Sequence, residues 1–201
     1  PLRRATGELW FASASYGIIL RYPNGTTRLL NSDNTPFLRD NYVCTLFEDH
    51  RHRVWIGERS GLAVAVNARQ GQHLVRGITE DHKGTIWVST DDEGIIAIDG
   101  NVSPAMAASH CVQFSPRQGT MAVNEVTACL EDHKHRLWAV SPSGGLFLYD
   151  NVQNCFVDKN RTFDIHGDQA YAIAEDKRGN LWITTEEALI ALHVHDSDNA
   201  D

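Results

Sequence analysis

The string EDHRHRVWIG at residues 48–57 returns three times: as EDHKGTIWVS (80–89), EDHKHRLWAV (131–140) and EDKRGNLWIT (175–184). A cut copy, ATGELWFA, lies at 5–12. Five tryptophans mark the copies: Trp10, Trp55, Trp87, Trp138 and Trp182, spaced 45, 32, 51 and 44 residues apart, about 43 on average. Six residues before four of them stands an aspartate (Asp49, Asp81, Asp132, Asp176), with Arg4 in that place in the first copy. Three residues before the Trp stands Gly7, Gly84 or Gly179, replaced by His52 and His135 in two copies. Aspartate, then three residues later one that tolerates positive φ, is the chemistry of a tight hairpin. The carboxylate bonds its own backbone and glycine supplies the left-handed position. Histidine is among the less penalised replacements there.

Strand-like segments flank each turn. Before it come Tyr42–Phe47, Val126–Leu130 and Tyr171–Ala174; after it come Val54–Ile56 and Leu181–Thr184. A second turn follows, with Gly61 six residues after its Trp and Gly17, Gly94 and Gly145 seven after theirs; Ala188 departs from this pattern. Third strands are predicted at Ile18–Tyr22, Leu62–Val66, Ile95–Ile98, Leu146–Tyr149 and Leu189–Leu192, and fourth strands at Thr26–Leu30, Cys111–Phe114 and Cys155–Val157. Three to four short antiparallel strands in each copy make a propeller blade. The fold class is therefore all-β, a partial β-propeller of about four to five blades over residues 1–201. The short repeat between Trp55 and Trp87 predicts either a missing strand or an irregular segment. The recurrent Trp reads as packing between blades, its N–H satisfied by the backbone. An open arc leaves two blade edges unpaired, which propellers avoid by closing. A longer chain resolves this; a small four- or five-bladed ring closed by both termini is the alternative.

Composition narrows the partners. The 201 residues carry a net charge of −8, and their 18 Lys and Arg are scattered, which argues against nucleic acid. No apolar run approaches a membrane span. Cys44, Cys111, Cys129 and Cys155 lack metal-type spacing and read as buried free thiols.

The pattern E-D-x-x-G-x-L-W-[IV]-[GST], followed by a Gly-Leu or Gly-Ile strand, resembles the two-component regulator propeller repeat over roughly residues 5–194. In that resemblance Asp49, Trp55, Asp81, Gly84, Trp87, Asp132, Trp138, Asp176, Gly179 and Trp182 are the structural residues of the repeat. The family implies a seven-bladed ring forming the periplasmic sensor region of an inner-membrane-anchored hybrid histidine kinase in bacteria that forage on polysaccharides. It further implies an oligosaccharide or other small ligand, a homodimer in the full-length protein, phosphorelay through kinase segments outside this chain, and no enzymatic activity in the propeller itself. The hairpin also broadly resembles that of the streptogramin lyases and gluconolactonase-like propellers, so a metal-dependent propeller enzyme is an alternative. A protein-interaction propeller is another.

Ligand sites in propellers sit where the loop entering the first strand meets the second turn. Fourteen residues before each Trp stand Asn41, His73, Asn124 and Asp168; thirteen before stand Tyr42, Leu74, Glu125 and Gln169. Asn41, Tyr42, His73, Asn124, Glu125, Asp168 and Gln169 are thus the candidate ligand-binding residues, offering the neutral and acidic groups a sugar needs. The competing structural role for Asn41 and Asn124 is to satisfy their own loops. Asp91-Asp92-Glu93 in a second turn reads as a solvated acidic turn, because it lacks the spaced ligands of a calcium loop. The pairs His50/His52, His133/His135 and His193/His195 invite a metal, but hairpin tips of separate blades are expected to point apart, so no metal and no cofactor is expected. No spacing supports a catalytic nucleophile and base.

Overall fold

A computed structural model describes residues 1–36, 38–64, 68–70, 74–103, 109–165 and 169–194. Each repeat folds into its own antiparallel sheet of consecutive strands. The first blade is β1 (Leu2–Arg3), β2 (Leu9–Ser13), β3 (Gly17–Arg21) and β4 (Thr27–Leu30). The second is β5 (Val43–Glu48), β6 (Val54–Glu58), β7 (Gly61–Val64) and β8 (Ala68–Gln70). The third is β9 (Val75–Glu80), β10 (Thr85–Thr90), β11 (Ile95–Asp99) and β12 (Cys111–Phe114). The fourth is β13 (Ala128–Glu131), β14 (Leu137–Ser141), β15 (Gly145–Asp150) and β16 (Cys155–Asp158), followed by a single helical turn, α1 (Asn160–Phe163). The fifth is β17 (Ala172–Glu175), β18 (Leu181–Thr184) and β19 (Leu189–Leu192). The first strands β5, β9, β13 and β17 lie against one another in sequence, so they form the inner side of the arc. Among the described residues no sheet combines strands from both ends of the chain, as a small closed ring would require.

The aspartate of the repeat builds the first hairpin. In the second blade the Asp49 carboxylate accepts the backbone N–H groups of Arg51 and Arg53, both at 2.9 Å, and the His52 N–H closes onto the Asp49 carbonyl at 2.9 Å. Asp81, Asp132 and Asp176 repeat the pattern. The third residue after each aspartate is left-handed, at φ +61° and +62° for His52 and His135 and +81° for Gly84 and Gly179. The second carboxylate oxygen takes the indole N–H of the following Trp at 2.8–3.0 Å in all four copies. This corrects the expected backbone partner for the indole. In the first copy, where Arg4 replaces the aspartate, Glu8 accepts the Trp10 N–H at 3.0 Å.

Each seam between blades is filled by one apolar cluster holding the Trp of the preceding blade. Trp10 packs with Val43, Val54 and Ile56; Trp55 with Val75, Ile86 and Val88; Trp87 with Val126, Leu137 and Phe147; and Trp138 with Ala170, Leu181 and Ile183. Those four indoles are at most 6% exposed.

The short repeat keeps all four strands, so of the two alternatives the missing strand does not hold. It loses its length in a connection: four residues (71–74) separate β8 from β9, where twelve (31–42) separate β4 from β5. The three-stranded blade, among the described residues, is the fifth. None of the four cysteines forms a disulfide among the described residues, but Cys111 is exposed rather than buried and the others are half-buried. Burial pushes the Cys129 thiol up to about 12, so it is inert.

Candidate functional site

Backbone hydrogen bonds stitch the entering loops to the second turns, which puts both on one face. Gly17 donates to the Asn41 carbonyl (2.8 Å), Arg59 to Tyr42 (3.0 Å), Asp91 to Leu74 (3.1 Å), Gly94 to Asn124 (2.7 Å) and Ala170 to Ser141 (3.0 Å). The structure therefore brings Asn41, Tyr42, Asn124, Glu125 and Gln169 to a common rim, while His73 and Asp168 lie outside the described residues. The Asn41 amide oxygen is occupied by the Ser32 N–H at 2.8 Å, so its side chain does serve its own loop. Asn124 is exposed, and Gln169 accepts the Tyr171 hydroxyl at 3.4 Å.

Charged pairs line the inner part of this rim. Arg76 forks onto both oxygens of Asp91, and Arg59 reaches Asp40 at 3.2 Å while its guanidinium lies 5.4 Å from the centre of the Tyr42 ring. Asp91 thus neutralises an arginine instead of forming an acidic turn open to a cation. Burial raises the Cys44 thiol, which also feels the charges of Arg76, Asp91, Asp40 and Arg59, and Arg76 feels the charge of Glu125. Glu58, 1% exposed, accepts the Arg39 N–H at 3.2 Å and the Ser60 hydroxyl at 3.2 Å. Burial pushes its carboxyl above the usual carboxylate range, despite those donors. Glu58 was not singled out in the sequence, although a signal exists there. Three residues after the Trp the other copies carry hydroxyls (Ser13, Thr90, Ser141, Thr185), and Glu58 alone brings a carboxylate. Exposed tyrosines complete the face: Tyr16 at 68%, Tyr42 at 37% and Tyr171 at 43%.

The opposite face carries the hairpin tips. There the E-D-H string makes a repeated latch between blades. The His50 N–H donates to Glu80 of the next blade at 2.9 Å and its Nδ1 meets the same carboxylate; His82 does this to Glu131, and His133 to Glu175. Neighbouring tips therefore meet, which corrects the expectation that they point apart. At the seam of the third and fourth blades a third group joins. His135 Nδ1 lies 3.6 Å from Glu131 Oε1, and the His82 and His135 rings are 4.1 Å apart. Candidate ligand atoms of His82, Glu131 and His135 all fall within 4.8 Å of one another. They border a cleft of about 480 Å³ shared with Tyr149, Asp150 and Asn151. His193 Nδ1 lies 2.6 Å from the Asn180 amide oxygen, which accepts, and His195 lies outside the described residues.

Residues 164–187, from the end of α1 to the second turn of the fifth blade, match the family model described as two component regulator propeller. The fifth copy is thus similar to the repeat of that family. The match falls on the copy with Asp176, Gly179 and Trp182, and the copies with Asp49, Asp81 and Asp132 share its hairpin geometry. No curated protein sequence matches the chain. Among solved structures, the extracellular domain assigned to the hybrid two component system BT3049 of B. thetaiotaomicron superposes at a TM-score of 0.70. It is 21% identical, covering 91% of this chain and 25% of that one. PorZ, a surface component of the type-IX secretion system of Porphyromonas gingivalis, gives 0.69 at 16% identity, covering 93% of this chain and 30% of its own. Virginiamycin B lyase from Staphylococcus aureus gives 0.67 at 14% identity, covering 96% and 68%. At such identities these likenesses establish the propeller fold alone. The chain spans about a quarter to a third of the length of the first and second of these structures.

Proposed function

We propose that the chain is a ligand-sensing propeller segment of a bacterial two-component signal-transduction sensor. In this reading it faces the periplasm or exterior, recognises an oligosaccharide, and relays binding to a kinase without catalysis of its own. The match of residues 164–187 to the two component regulator propeller model carries this reading. Its location is supported by the likeness to an extracellular sensor domain. The sugar is argued from the rim: exposed tyrosine rings offer apolar faces with polar tips, and the Arg–Asp pairs, Glu125 and Asn124 offer planar donors and acceptors. Ligand must favour one arrangement of a sensor homodimer over another, since equal affinity for both shifts nothing. Further blades of a longer ring are proposed to cover the fifth blade, whose Trp182 is half-buried whereas the other four indoles are buried.

A glycan-array screen of the folded protein, followed by calorimetry on the best oligosaccharide, tests the reading. Tyr42→Ala and Glu125→Gln are each expected to weaken binding about tenfold, the worth of about one hydrogen bond to a charged group. His52→Gly on the opposite face should leave it unchanged. No glycan bound by folded protein, or rim variants with parental affinity, would overturn it.

A further inference from the structure

We propose that the tip-face seam between the third and fourth blades is a binding site for a divalent transition metal of the zinc class, with His82, Glu131 and His135 as ligands. Repeat geometry assembles it. The imidazole that follows the aspartate reaches over the next blade's hairpin, onto the left-handed residue of that turn. At the next seam along, an added Cβ on Gly179 would lie 2.5 Å from the His133 ring, and at the seam before, one on Gly84 would lie 3.4 Å from the His50 ring. Where glycine fills the left-handed place, a seam holds one His and one Glu. His135 fills it at φ +62° and brings a second imidazole against the first. Three ligands from two blades then converge, and the cleft beside them leaves a fourth position open to water.

The donor set selects the ion. Two imidazoles and one carboxylate suit zinc or a neighbouring transition metal, whereas calcium and magnesium require mostly oxygen. Glu131 is already oriented for the task, because its other oxygen accepts the His82 backbone N–H at 2.7 Å, an outer hydrogen bond of the kind that fixes ligating carboxylates. The ion would replace the proton between His82 Nδ1 and Glu131. The first seam offers an internal comparison. Its preceding blade has no such histidine, and there the Arg4 guanidinium reaches Glu48 at 3.4 Å and the His52 carbonyl at 2.9 Å. His52 Nδ1 sits 3.0 Å from the same Glu48. A cation at this point of a seam is therefore already part of the molecule's construction.

Calorimetric titration of the tag-free protein with zinc chloride is the test. One ion per chain is expected, with a rise in Tm on loading, while calcium and magnesium give no saturable binding. His135→Gly preserves the turn, since Gly84 and Gly179 hold the same place, and should lower zinc affinity at least tenfold. Glu131→Gln, which keeps the side chain's shape, should do the same, and His52→Gly should not. Absence of zinc binding overturns the site. So does zinc binding that neither seam variant weakens, or that His52→Gly weakens equally, because the cysteine thiols or other imidazoles would then hold the ion.

Discussion

The aspartate of each repeat works at the scale of single hydrogen bonds. Asp132, whose side chain is 1% exposed, accepts two backbone N–H groups, the Trp138 indole and Arg136 Nε at 2.7 Å, with the guanidinium 5.5 Å from the indole centre. Burial by itself would raise the Asp132 and Asp49 carboxyls. The indole, backbone and arginine donors outweigh it and hold both below the usual aspartate range. Asp176 is held low by the Asn180 side chain first and then by Trp182. A carboxyl depressed by folding stabilises the fold fully above the unfolded value of about 4. That contribution is lost as pH falls through the lower folded values. The share of the denaturant midpoint that these aspartates supply should therefore stay level from neutral pH to about 5 and be lost below about 4, whereas Glu58, with its raised carboxyl, acts in the opposite sense. Asp132→Asn, which turns an acceptor into a donor facing two others, should cost about 2–3 kcal/mol at neutral pH and flatten the acid limb. An unchanged limb in the variant would assign the acid sensitivity to other groups. The hairpin was legible in the sequence because Asp and Gly act within one turn. The indole's partner was not, since spacing alone does not show that one carboxylate serves both turn and core. The Arg53 and Arg136 stacks were missed for the same reason, although H-R-x-W in two copies signals them.

At the scale of the blade, the second-turn glycines answer to the segment that follows the third strand. A Cβ on Gly17 would lie 2.2 Å from the Leu30 carbonyl oxygen, and one on Gly94 would lie 2.0 Å from that of Phe114. At Gly145 the obstacle is the Asn160 amide, which binds the Leu146 N–H at 2.8 Å where the other blades use a strand end. Ala188 fits because, among the described residues, the fifth blade has no fourth strand and Ala188 is not left-handed. One departure in the sequence thus reflects another in the structure, a link that strand periodicity does not reveal. The short second repeat left a missing strand and an irregular segment both open, because residue counts do not say which part is shortened; the structure takes the length from a connection. Gly94→Ala should cost at least about 1–2 kcal/mol from the left-handed backbone alone, before the collision with Phe114 is counted. Ala188→Gly should change stability by under about 1 kcal/mol. Chemical denaturation of both variants checks this, and equal losses would refute the link between the glycine and the overlying strand.

Across the whole molecule, cohesion runs from each blade to the next. One apolar cluster and one set of tip contacts join each consecutive pair, so stability should behave as a chain of neighbouring interfaces, as in other repeat proteins. Sequence revealed the repeat and hence the arc. It did not reveal which charges pair at the rim, because Arg76 on β9 and Asp91 after β10 meet only when the third blade forms its sheet, and Glu125 joins from the loop that enters the fourth blade. The same packing makes five equivalent tryptophans unequal. Trp138 is 0% exposed between two blades, while Trp182 is half-buried on the last one. It borders an open depression with Lys177, Arg178, Asn180 and His193. Trp138→Ala should cost about 3–5 kcal/mol, the usual range for a buried aromatic. Trp182→Ala removes a side chain with blade contacts on one side only and should cost less than half as much. Acrylamide should quench one of the five indoles readily, and Trp182→Phe should abolish that component. Equal stability losses at the two positions, or an accessible component that survives Trp182→Phe, would show that the outer face of the fifth blade is covered and that the seams are not the units of stability.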